Sequence, residues 1–154
     1  QVDIEKIATS IRSAGLYLQK SRAIKAFALY LKENYECQIE LLLRKGPEKV
    51  REELEKIHGI GLKTIDVLLT DYGYPVLPID THVRRVSIRI GLAMPGSYTK
   101  MQNYLHSVFS EEKRLEAHLY LIKLGRTYCT ARNPKCSACP VSYLCCYIRE
   151  KSQR

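Results

Sequence analysis

The chain has no tryptophan, two phenylalanines and two methionines among its 154 residues. Its longest unbroken apolar run is six residues, 26–31. A bilayer span needs about 20, so no membrane role is expected. No charged-then-apolar pattern opens the sequence, so no export signal is read. Internal repeats and low-complexity tracts are absent. Alternating apolar and polar runs are scarce; residues 76–79 are the one short extended candidate, and the prolines beside them discourage a sheet. Acidic residues are short: 16 Asp and Glu stand against 25 Lys and Arg, a formal charge of +9 and a pI near 9.3. Secreted, membrane and fibrous classes are thereby disfavoured. A 45% hydrophobic and 27% charged composition argues for a globular chain. The surplus of positive charge favours a polyanionic partner.

What is present is helical spacing. Ile24, Phe27, Ala28 and Leu31 repeat at i, i+3, i+4 and i+7. Val50, Leu54 and Ile57 follow Pro47, which suits a first helical turn. Ile65, Leu68, Leu69 and Tyr72 form a stripe ended by Gly73 and Pro75. Met101, Tyr104, Leu105 and Val108 form another, and Leu115, Leu119 and Ile122 the last. The spacing predicts an all-α fold of seven or eight helices in two lobes, residues 1–75 and 76–154.

Three constellations carry chemistry. Two helix patterns are joined by a Gly59-Ile60-Gly61 turn. Its glycines permit a sharp bend, and the next helix offers free N–H groups and a positive dipole end to an anion. A phosphate of DNA suits that site; a plain tight link is the alternative. Lys63 stands in the first turn of that next helix. The dipole and partial desolvation would favour a neutral amine able to form a Schiff base, and a solvated phosphate contact is the alternative. Asp80 precedes Thr81-His82-Val83 at an N-cap position. A cap carboxylate facing a cleft could also stabilise positive charge on a sugar and move protons.

The third constellation is cysteine. Five of six cysteines fall in the last 26 residues. The spacing Cys129-x6-Cys136-x2-Cys139-x5-Cys145 suits an iron–sulfur cubane better than zinc, whose structural sites use two close ligand pairs. Cys146 could be a spare ligand, and Cys37 is expected to pack as a small hydrophobe. Arg126, Arg132 and Lys135 could offset thiolate charge or contact phosphates.

The run from Ile57 to Leu69, Ile79-Asp80-Thr81-His82-Val83-x-Arg85-Val86, Gly125-Arg126-x-x-Cys129 and the four-cysteine spacing together resemble the endonuclease III branch of the helix-hairpin-helix-Gly/Pro-Asp DNA glycosylases. The resemblance runs from Gly15-Leu16-Tyr17 to Cys145. It implies an all-α fold of two helical lobes with a helix-hairpin-helix motif and a C-terminal [4Fe–4S] cluster loop. It implies a bifunctional glycosylase and abasic-site lyase acting on damaged pyrimidines of the oxidised class. Lys63 then matches the nucleophile and Asp80 the carboxylate that assists base departure. Gly59, Ile60, Gly61 and Thr64 match the phosphate-binding hairpin, and Cys129, Cys136, Cys139 and Cys145 the cluster ligands. Leu16 aligns with a residue that wedges into the duplex, with core packing as its alternative.

The implied partner is double-stranded DNA with damaged bases or abasic sites. The implied location is the nucleoid-bearing cytoplasm of a prokaryote or the nucleus of a eukaryote. Departures are His58 where proline is usual, Leu62 where a basic residue is usual, a longer stretch over 34–47, and an N-terminal block of helices that is not found. That last departure leads to the expectation of an exposed apolar face, covered by a second chain or a dimer. Competing readings are a monofunctional T/U:G mismatch glycosylase, a non-catalytic DNA-binding module and an iron–sulfur electron carrier.

Overall fold

A computed structural model describes residues 3–152. The outermost residues of the two expected lobes, 1–2 and 153–154, lie outside them. Among the described residues every regular element is a helix, so the fold is all-α as expected. The chain divides into two compact units, residues 1–72 and 73–154.

The N-terminal unit holds α1 (Ile4–Ser10), a 3-10 turn (Arg12–Ala14), α2 (Tyr17–Tyr35), α3 (Ile39–Leu43), α4 (Pro47–Leu54) and α5 (Leu62–Asp71). Pro47 occupies the first turn of α4, where its missing N–H costs nothing. Val50 and Leu54 of α4 and Ile65 and Leu69 of α5 are fully buried, as their spacing predicts. Burying each contributes about 2 kcal/mol. Beneath them Arg51 reaches Asp66, with Nε and one terminal nitrogen each 2.8 Å from Oδ1 of a fully buried carboxylate.

The C-terminal unit holds α6 (Thr81–Ile90), α7 (Tyr98–Val108), a 3-10 turn (Glu111–Lys113), α8 (Arg114–Thr127), two further 3-10 turns (Cys136–Ala138 and Ser142–Leu144) and α9 (Cys146–Ser152). Its core joins Leu77, Val83, Val86, Met101, Leu105 and Leu121. Charge is divided unevenly. Residues 73–154 carry thirteen Lys and Arg against five Asp and Glu, whereas residues 1–72 carry twelve against eleven.

Several expectations are corrected. Nine α-helices are described rather than seven or eight, because α1, α3 and α9 are too short to show a repeat. On α8 the expected stripe is out of phase. Leu115 and Leu119 are exposed, and the buried face is Ala117, His118, Leu121 and Gly125. A histidine, an alanine and a glycine hide that face from a count of large apolar residues. On α2, Ile24 and Ala28 are exposed, and only Ser21 and Tyr35 are buried. Cys37 is exposed rather than packed.

A polar cluster links α2 to α4. The hydroxyls of Tyr30 (2.7 Å) and Tyr35 donate to Glu53, and Lys45 bridges Tyr35 (2.7 Å) and Glu53 (3.1 Å). Burial alone would raise the Glu53 pKa, but the hydrogen bonds from Tyr30, Tyr35 and Lys45 outweigh it and hold the group at about 2, below its ordinary 4.5. A depressed carboxylate contributes stability that is complete above its unfolded value and is lost as pH falls through its folded value. Unfolding curves should therefore weaken as pH drops from 4.5 toward about 2, and Glu53→Gln should flatten that limb. Arg51→Met should destabilise the protein by about 3 kcal/mol in denaturant titration, because the buried carboxylate loses its guanidinium.

Candidate functional site

The hairpin is built by the chain between α4 and α5. The Ile60 N–H closes a turn onto Ile57 O at 3.1 Å. Gly59 has φ +89°, and a Cβ there would sit 3.0 Å from the Ala23 methyl. Both the backbone and the close approach therefore require glycine. Gly61 is different. Its φ of −110° suits any residue, and a Cβ there would meet nothing within 4 Å. The sequence reading that both glycines serve the turn is thus corrected: the fold demands one of them.

Gly61 is the N-cap of α5 and accepts from Thr64 N (2.8 Å) and Ile65 N (3.2 Å). It supplies no side-chain cap, and no acidic residue occupies the first turn. The N–H groups of Leu62 and Lys63 lack intrahelical partners and form the positive end of the helix dipole. An anion could sit here against bare backbone, with no Cβ in the way. Lys63 and Thr64 extend from the same turn, and both are exposed. The desolvation expected at Lys63 is absent, and its amine is open to solvent.

Leu16 stands at the N-cap of α2 with φ 51° and ψ 30°. The left-handed region costs a leucine about 1–2 kcal/mol. Its side chain is 71% exposed, so it is not packed in a core. Leu16, Ala23, Phe27, Gly59, Ile60 and Thr64 line one open groove. The N-terminal unit thus brings four of the residues singled out from sequence to one surface.

Asp80 is placed by the extended segment before α6. That segment has no strand to pair with, and side chains of α7 and α8 satisfy its backbone instead. The Leu77 N–H donates to His106 Nε2 (3.0 Å) and the Ile79 N–H to Tyr98 Oη (3.1 Å). Gln102 Nε2 donates to Leu77 O (3.0 Å) and Arg114 to Pro75 O (2.7 Å). His118 Nδ1 lies 3.0 Å from Pro78 O. Asp80 then caps α6, its Oδ1 accepting from Val83 N at 2.7 Å. The carboxylate is half-buried, and Oδ2 makes no hydrogen bond among the described residues.

The cysteine loop leaves the end of α8. Cys129, Cys136, Cys139 and Cys145 line one pocket whose remaining walls are largely apolar, including Ile90, Leu124 and Ile148. Among the described residues no three His, Cys, Asp or Glu side chains converge as they would on a single metal ion. A lone zinc would draw its sulfurs to about 2.3 Å from a common point. A cluster takes its thiolates at separate irons, and four thiols around one apolar pocket with no carboxylate fit that body better. Cys146 does not line the pocket; its Sγ turns to Ile90 O, at 3.7 Å, and abuts Gly91.

Arg126, Arg132 and Lys135 are exposed, and their side chains make no hydrogen bond or ion pair among the described residues. The guanidiniums that hold the loop are two that sequence reasoning gave no role. Arg85 donates from Nε to Cys129 O (2.8 Å) and from a terminal nitrogen to Gly125 O (3.0 Å). Arg89 donates to Thr130 O (2.7 Å) and Ala131 O (3.0 Å). Both act across about 40 residues of sequence; Arg85 stands within the family motif, but the distant carbonyls it binds do not, and Arg89 lies outside it.

Residues 1–111 match the family model described as the HhH-GPD superfamily base excision DNA repair protein. The chain belongs to that superfamily. Residues 129–145 match the iron–sulfur binding domain of endonuclease III, so the cysteine loop is an iron–sulfur cluster site. Among curated relatives, endonuclease III of Sulfolobus acidocaldarius is 39% identical over 94% of this chain and 64% of its own length. Endonuclease III of Rickettsia felis is 37% identical over 89% of this chain and 61% of its own length. The chain therefore spans less than two thirds of either relative. A solved structure of a trapped endonuclease III–DNA covalent intermediate superposes with a TM-score of 0.83 at 31% identity, covering 98% of this chain and 68% of that one.

The two glycines should separate in experiment. Gly59→Ala should destabilise the fold by about 1–2 kcal/mol in denaturant titration, through its φ and the Ala23 contact. Gly61→Ala should leave stability within about 0.5 kcal/mol yet weaken binding of duplex DNA in a fluorescence titration.

Proposed function

We propose that this chain carries the DNA glycosylase and abasic-site lyase chemistry of base excision repair, acting on damaged pyrimidines of the oxidised class in duplex DNA. The observation that carries the reading is the position of Lys63, one residue inside a helix whose N-terminus is open to a phosphate, so that a nucleotide held there would lie within reach of its side chain. The resemblance to endonuclease III over nearly the whole chain supports it. The reading puts the protein with genomic DNA, in the nucleoid-bearing cytoplasm of a prokaryote or the nucleus of a eukaryote. Among the described residues no helix is long and apolar enough to cross a membrane. DNA is the only partner the reading needs; no finding supports a second protein chain.

Binding begins with charge. The C-terminal unit holds +8 of the net +9, and Arg132 and Lys135 offer it to phosphates, a contact that weakens with salt. The N–H groups after Gly61, with Ile60 and Thr64 beside them, fix one phosphate and so set register. The target nucleotide must leave the stack before its sugar can be attacked. Leu16, already exposed at the N-cap of α2, fills the gap that it leaves.

The Lys63 lone pair then attacks C1′. The C1′–N bond breaks, and its electron pair departs with the base, which takes a proton. The Asp80 carboxylate stabilises the positive charge on the sugar, using the oxygen not engaged by Val83, and can accept the proton lost from the amine. The proton that the amine gave up goes to O4′ as the C1′–O4′ bond breaks, and the sugar opens to an iminium between C1′ and Lys63. Loss of a proton from C2′ expels the 3′ phosphate by β-elimination, and water releases Lys63. Cys129, Cys136, Cys139 and Cys145 would hold a [4Fe–4S] cluster, which when bound supplies a structural cross-link to the loop bearing Arg132 and Lys135.

Borohydride should reduce the iminium and trap a covalent protein–DNA adduct on an abasic duplex. Lys63→Ala should abolish trapping, and Asp80→Asn should lower the glycosylase rate by about 100-fold or more. Trapping at the wild-type level in Lys63→Ala would remove Lys63 from the role. Base release without strand cleavage would point to the monofunctional reading. Salt-sensitive binding without turnover would point to a DNA-binding module.

A further inference from the structure

The cysteine loop spans 17 residues between its first and last ligands, with two 3-10 turns as its only regular structure. Such a segment has little packing of its own. Arg89, in the last turns of α6, touches both of its ends. At the start, its guanidinium donates to Thr130 O at 2.7 Å and Ala131 O at 3.0 Å, and one nitrogen lies 3.5 Å from Cys129 Sγ. At the finish, the same guanidinium stacks over the Tyr147 ring at 4.7 Å, two residues past Cys145; the 3.4 Å contact of Cys145 Sγ with the Arg89 carbonyl belongs to the thiol and is given up when the sulfur ligates iron. The other clamp, Arg85, reaches Cys129 O and Gly125 O, and so holds only the α8 side. Arg126, Arg132 and Lys135 are exposed. Arg89 alone among the described residues places a cation against a sulfur of the pocket and joins the first ligand to the last.

We propose that Arg89 is the positioning residue of the cluster loop, holding Cys129 and Cys145 in register and donating a hydrogen bond to the Cys129 sulfur. The inference rests on the cluster reading above. A planar guanidinium can bond two carbonyls and stack on a ring at once, which an ammonium cannot, so Lys is not an equivalent. An N–H···S bond withdraws charge from the ligand, which stabilises the more negative, reduced form of the cluster and raises its potential.

The test uses the full chain, purified with its iron. It compares wild type, Arg89→Lys, Arg89→Leu and Tyr147→Leu. The readouts are iron per protein, the rate of visible bleaching under EDTA with an oxidant, and the reduction potential, all without DNA. Arg89→Leu should bleach about tenfold faster or more, a typical effect of removing an outer partner of a metal ligand. Arg89→Lys should load iron but bleach several-fold faster, with a potential more negative than wild type. Tyr147→Leu should fall between wild type and Arg89→Leu. If Arg89→Leu does not fold, Arg89→Lys and Tyr147→Leu decide the matter. Wild-type bleaching and potential in Arg89→Lys would overturn the role of Arg89 and leave the cluster reading standing. A colourless, iron-free wild type would overturn both.

Discussion

Two helices approach so closely at Gly125 that a single methyl group there would collide with the neighbour. A Cβ at that position of α8 would lie 2.9 Å from His82 Cβ and 3.2 Å from the Val86 side chain, both on α6. That contact seats α6, and α6 is where the chemistry of the C-terminal unit is anchored. Its N-terminus is capped by Asp80, whose carboxylate is fixed by the Val83 amide. Its later turns present Arg85 and Arg89, which grip the start of the cysteine loop. The segment leading into α6 is held by His106, Gln102, Tyr98, His118 and Arg114 from the helices beside it. One rigid rod thus carries the carboxylate at one end and the loop support at the other.

The N-terminal unit solves a different problem with different means. Its net charge is close to zero, so it cannot draw DNA from a distance. It offers short-range geometry instead: bare N–H groups after Gly61, an open amine at Lys63 and a leucine held in a left-handed conformation. Screening limits bare charge to about 8 Å at physiological salt. On the DNA-binding reading the +8 of the C-terminal unit would govern capture and the hairpin would govern register. In the proposed function these are successive stages of one encounter.

Much of this was legible in the sequence, and the reasons are specific. Asp80 before Thr81 marked a cap because the N-terminus of a helix needs an acceptor. The stripes of α4 and α5 marked a core because their large residues fall at one phase. The cysteine spacing marked a single centre because four thiolates in so short a span can share little else. The failures are equally physical. The buried face of α8 is built from Ala117, His118 and Gly125, residues chosen for closeness rather than apolarity. Periodicity finds apolar residues but cannot say what covers them, so Ile24 and Leu119 were misjudged. Leu16 is pinned by backbone dihedrals that no composition reveals. Arg85 and Arg89 act on carbonyls some 40 residues away, and a carbonyl has no letter in the sequence.

The seating of α6 is the central claim, and Gly125→Ala tests it with a definite sign. Alanine in a helix interior is ordinarily more stable than glycine by about 1 kcal/mol. If the α6–α8 approach governs the unit, the substitution should act against that preference. Melting temperature, iron content and borohydride trapping on abasic DNA should then all fall together. A Gly125→Ala protein that melts higher, binds iron as the wild type does and traps DNA equally well would contradict the account.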